Sequence, residues 1–83
     1  MTVSRYLPTT KLGKLRLMGG YGSQREFARK ITMTAPAWHR VERGIAEPTM
    51  ATVTRASRAM GVSVEVFMAA WNEAKKQNER GER

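Results

Sequence analysis

The sequence predicts an all-α domain of five short helices, and three observations carry that expectation. No segment alternates apolar and polar residues with period two over a useful length. Apolar residues instead recur at helical spacing, as in Phe27, Ala28 and Ile31, or Phe67, Met68 and Trp71. Residues suited to starting helices (Ser23, Thr34, Ser63) and to stopping them (Gly44, Gly61) punctuate those stretches.

The elements follow in order. Residues 1–9, "MTVSRYLPT", have no helical period and contain Pro8, so they read as an extended arm. A first helix is expected over about Thr10 to Met18, with Leu12, Leu15 and Met18 on one side, before Gly19, Gly20 and Gly22 break it. The second helix starts at Ser23. In "SQRE" the Ser23 hydroxyl can accept from the Glu26 N–H while Glu26 reaches back, a capping box.

Thr32 and Met33 make a short turn, and Thr34 caps the third helix, Ala35 to about Arg43. Pro36 falls in its first turn, where a missing N–H costs little. Trp38 and Val41 form its apolar side, and Gly44 ends it. Pro48 and Thr49 start the fourth helix, with Met50, Val53, Ala56, Ala59 and Met60 inward. Ser63 caps the fifth, whose stripe is Val64, Phe67, Met68 and Trp71. The closing "KKQNERGER" is polar, so a frayed tail is expected over 77–83, leaving 10–76 as one domain.

Charge is the strongest compositional signal. Fifteen Lys and Arg against seven Asp and Glu leave a net +8, and the cations are ten arginines to five lysines. Such an excess favours a polyanion. Arginine's planar fork also suits phosphates and guanine edges better than an ammonium does. With no cysteine and one histidine, a disulfide framework or structural metal site is not expected. Nor do these residues supply a catalytic constellation, so no enzyme activity, cofactor, metal or small-molecule substrate is expected. No apolar run approaches the ~18 residues of a membrane span, nor is there a signal-peptide stretch.

The segment "SQREFARKITMTAPAWHRVERG", Ser23 to Gly44, resembles the helix-turn-helix of the phage-repressor and Cro-like (XRE-type) family. Ser23, Gln24, Phe27, Ala28, Ile31, Met33, Thr34, Trp38, Val41, Glu42 and Gly44 match its pattern in register. The likeness continues through Pro48, Met50, Val53, Met60, Gly61 and Val62, so it spans about Leu12 to Phe67. Thr32 replaces the family's turn glycine, Trp38 its usual aliphatic, and Ala35 and Pro36 its polar base readers. The glycine-rich loop after the first helix is one residue longer.

The resemblance implies a five-helix repressor-like domain that places its third helix in a DNA major groove. Thr34, Ala35, Pro36, Ala37, His39 and Arg40 are then the expected base contacts. Arg40 can pair with guanine O6 and N7, or clamp a phosphate; the alanines and Pro36 offer only apolar contact, leaving part of the specificity to DNA shape. Ser23, Gln24, Arg25 and Arg43 are the expected phosphate contacts, Ser23 chiefly as a cap. Arg29 and Lys30 extend that row or form a solvated face. Glu42 is expected to pair with Arg16 as a structural ion pair. Trp71 has two readings, closing the core over the first helix or joining Phe67 and Met68 in a dimer contact.

The implied function is a sequence-specific transcriptional regulator of bacterial or phage type, acting in the bacterial cytosol as a homodimer on double-stranded operator DNA. Repression and activation are equally compatible with the residues. The alternatives are a restriction-modification controller or antitoxin-type regulator, or a protein-interaction or RNA-binding module on the same fold.

Overall fold

The computed structural model describes residues 10–80; the arm expected at 1–9 lies outside them. Among the described residues there are five helices and no strand: α1 (Lys11–Met18), α2 (Gln24–Lys30), α3 (Ala35–Glu42), α4 (Met50–Met60) and α5 (Val64–Glu79).

One local chemistry starts every helix. Thr10, Ser23, Thr34, Thr49 and Ser63 sit at the N-caps in extended conformation, and each hydroxyl accepts from the backbone N–H three residues on. This satisfies a donor that has no partner within the helix. The Ser23 half of the capping box is therefore present.

One motif also ends four of them. The N–H of the residue after the left-handed position reaches back five residues, at Tyr21→Arg16, Met33→Ala28, Ile45→Arg40 and Val62→Ser57. The left-handed positions are Gly20, Thr32, Gly44 and Gly61. Three are glycine; Thr32, at φ 63°, is the exception. The turn thus keeps the backbone of the family glycine, with a β-branched residue held where its side chain crowds the chain.

The core is built from Leu12, Phe27, Ile31, Trp38, Val53 and Phe67, all buried. Aromatic rings run through it: Tyr21 edge-on to Phe27 at 5.1 Å, Phe27 to Trp38 at 4.6 Å, Trp38 to Phe67 at 6.4 Å. This run ties α2, α3 and α5 together. At the end of α3, a Cβ on Gly44 would lie 2.4 Å from the Ala74 and Lys75 backbone, so α5 crosses there in contact with bare main chain. Trp71 is 4% exposed and its indole N–H donates to the Ala46 carbonyl at 3.2 Å. Of its two readings, the structure has the core one.

Three apolar residues expected inside are outside. Met18 is 81% exposed, Met50 71% and Val64 37%. On α1 a three-residue spacing drifts by about 60° per step on a 3.6-residue helix, and Arg16 takes the inward place. Met50 and Val64 are the first residues of their helices, two and three residues before the buried stripes that start at Thr52 and Phe67. The helix α5 continues to Glu79, so residues 77–79 of the expected polar tail are helical, and its residues 81–83 lie outside the described ones. The "AKKQNE" of α5 holds several good helix formers, and Ala74 and half-buried Gln77 anchor it.

Candidate nucleic-acid interface

Helices α2 and α3 and the turn between them form a helix-turn-helix. Phe27, Ala28 and Ile31 bury one side of α2, and Trp38, Val41 and Glu42 one side of α3. Ala28 is small where the turn brings the helices together, and the Met33 N–H closes onto its carbonyl at 2.8 Å.

Glu42 fixes the relative position of three helices. Its carboxylate accepts from Arg16 Nε at 2.8 Å, Arg16 Nη2 at 3.3 Å, Gln24 Nε2 at 2.9 Å and Trp38 Nε1 at 2.8 Å. A carboxylate has about four acceptor positions, so it is saturated. Its backbone carbonyl accepts from the Thr10 hydroxyl at 2.9 Å. Arg16 donates a further bond to the Tyr21 carbonyl at 2.6 Å, through the glycine-rich loop that follows α1. Both charged residues are buried, at 3% and 4% side-chain exposure. Burial without such partners would cost several kcal/mol per ion. Removing either partner leaves the other charge stranded.

The outward side of α3 is a stripe at helical spacing: Pro36, His39, Arg40 and Arg43. Pro36, His39 and Arg40 are exposed and Arg43, the C-cap, is half-buried. Thr34 is exposed, its hydroxyl occupied by capping Ala37 N–H at 3.2 Å. Ala35 and Ala37 are half-buried. On α2, Arg25, Arg29 and Lys30 are exposed, with Arg25 and Arg29 one turn apart. Among the described residues, the side chains of Arg25, Arg29, Lys30, Arg40 and Arg43 form no hydrogen bond or ion pair. Ser23 and Gln24 are half-buried at the α2 N-terminus, where free backbone N–H groups favour an anion.

Gln24 has a second contact: its Oε1 lies 3.2 Å from His39 Nδ1. This link was not read from the sequence, and neither were the bonds of Trp38, Gln24 and Thr10 to Glu42. The Trp38–Glu42 bond had a usable signal, since the two are four apart on one helix, a spacing that brings side chains together. The others join different helices and depend on their packing. Groups of three or more His, Cys, Asp or Glu that could hold a metal are absent among the described residues. No helix there is long and apolar enough to cross a membrane.

A family model described as helix-turn-helix matches residues 12–67, more than half the chain. No curated protein and no solved structure matches. With five helices, two of them in this arrangement, and a family match over the same span, the chain belongs to the phage-repressor and Cro-like helix-turn-helix family of DNA-binding regulators.

Proposed function

We propose that this protein is a sequence-specific transcriptional regulator that inserts α3 into the major groove of operator DNA. The observation that carries this is the stripe of Pro36, His39, Arg40 and Arg43 on a helix locked from behind by Glu42. A helix held this rigidly can present Arg40 and His39 at fixed positions to base edges, with Thr34, Ala35, Pro36 and Ala37 at its leading end. Ser23, Gln24, Arg25 and Arg43 contact the flanking phosphates, which set register without reading sequence. The protein acts in the bacterial cytosol, without catalysis. Two copies bind as a symmetric dimer across half-sites about one helical turn apart, ~34–36 Å.

The test is binding to random duplex DNA and to single-stranded RNA at matched salt, followed by sequencing of the bound duplexes. A recovered inverted repeat with half-sites one turn apart supports the reading. Equal affinity for RNA and no recovered sequence would refute it.

A further inference from the structure

The bonds behind α3 set the polarity of the group that α3 presents. Glu42 is a buried carboxylate paired with Arg16, so it can only accept. The Gln24 atom facing it at 2.9 Å must therefore be the amide nitrogen. This settles which way the Gln24 amide is turned, a choice that follows from the network rather than from atom shapes. The Gln24 oxygen then faces His39 Nδ1 at 3.2 Å. An amide oxygen can only accept, so Nδ1 must carry the proton.

A neutral imidazole has one donor and one acceptor nitrogen. With Nδ1–H committed to Gln24, Nε2 at the far end of the exposed ring bears a lone pair. We infer that His39 is a specificity residue whose neutral ring accepts, through Nε2, a hydrogen bond from an exocyclic amino group in the major groove: N6 of adenine or N4 of cytosine. Those are the two amino donors a base pair shows there. Gln24 is the positioning residue and Glu42 the origin of the polarity. The inference rests on the operator-binding role proposed above.

The tautomer can be read without DNA. His39 is the one histidine of the chain, so its ring nitrogens give a single set of signals in a long-range proton–nitrogen correlation spectrum. At about pH 9, where imidazoles are neutral, the wild-type spectrum should show the Nδ1–H form. Gln24→Ala should shift it toward Nε2–H, the form histidine prefers in water. A wild-type Nε2–H form would overturn the relay and leave the operator role intact; the wild-type spectrum alone decides this, whether or not the variant folds.

The base contact has its own arm. Binding selections with wild type and His39→Ala locate the position whose preference the histidine controls. Removing the amino group there, with purine for adenine or 2-pyrimidinone for cytosine, should cost the wild type about fivefold to tenfold in affinity, the worth of one hydrogen bond, and cost His39→Ala nothing further. If the shared loss instead follows removal of a guanine N7, His39 donates and the inference fails. A wild-type chain that binds no duplex would overturn the base contact along with the operator role, with the tautomer standing.

Discussion

The indole N–H of Trp38 donates to Glu42 Oε1 at 2.8 Å, one turn further along α3. That bond accounts for a large aromatic at a position where the family has an aliphatic. Trp38 fills the space between Phe27 and Phe67 and also supplies one of the four donors that saturate a buried carboxylate.

Glu42→Ala should therefore strand the Arg16 guanidinium, the Trp38 N–H and the Gln24 amide together. The expected loss is about 3–5 kcal/mol, the range for breaking a buried pair. Replacing Arg16 and Glu42 together by apolar residues should cost less than the sum of the single changes. Denaturant titrations of the four chains in the cycle measure this; additive losses would mean that the two residues do not depend on each other.

Thr32→Gly should stabilise the protein by about 1 kcal/mol, because a non-glycine residue in the left-handed region costs roughly 1–2 kcal/mol, offset in part by the greater freedom of glycine in the unfolded chain. Gly44→Ala should do the opposite. It adds the same backbone strain and drives a Cβ into the Ala74 and Lys75 main chain. The combined cost is on the order of 2–4 kcal/mol. Thermal melts of the two variants should shift in opposite directions.

Trp71→Ala should destabilise by about 3–5 kcal/mol, as for other buried aromatics. Because Trp71 is buried within one chain and bonded to its own Ala46, the loss should be independent of protein concentration. A residue that stabilised only a dimer would give a concentration-dependent midpoint.

Affinity for non-cognate duplex should fall with salt at a log–log slope of about −0.9 per neutralised phosphate, with roughly four to eight phosphates per dimer. The unpaired cations of α2 and α3 motivate this. A flat titration would remove the electrostatic basis of binding.

The helices were legible because their ends are written in short-range chemistry. A Ser or Thr before each helix, and Gly44 and Gly61 after two of them, need only neighbouring residues to act. Burial was less legible where it depends on what lies across from a residue. Met18, Met50 and Val64 are apolar yet sit beyond the packed surfaces, while charged Arg16 and Glu42 lie within them. Periodicity ranks residues by hydrophobicity, so it cannot place a buried ion pair; that pair was visible only through the family resemblance. The outward stripe of α3 follows from spacing alone. The Gln24–His39 contact does not, since it spans fifteen positions and exists only once α2 and α3 have packed.

If α3 reads bases, Arg40 is the side chain whose loss should show it. Its side chain is exposed and makes no bond within the described chain, so its loss should leave the fold intact. Selection of bound sequences from random duplexes by wild type, Arg40→Ala and Arg25→Ala, with folding followed by circular dichroism, is the measurement. Arg40→Ala should lose about 1–3 kcal/mol on the preferred sequence and relax one position per half-site, as for a guanine contact. Arg25→Ala should weaken all sequences alike. A folded Arg40→Ala that loses affinity equally on every sequence would show that Arg40 reads no base and is only a phosphate clamp.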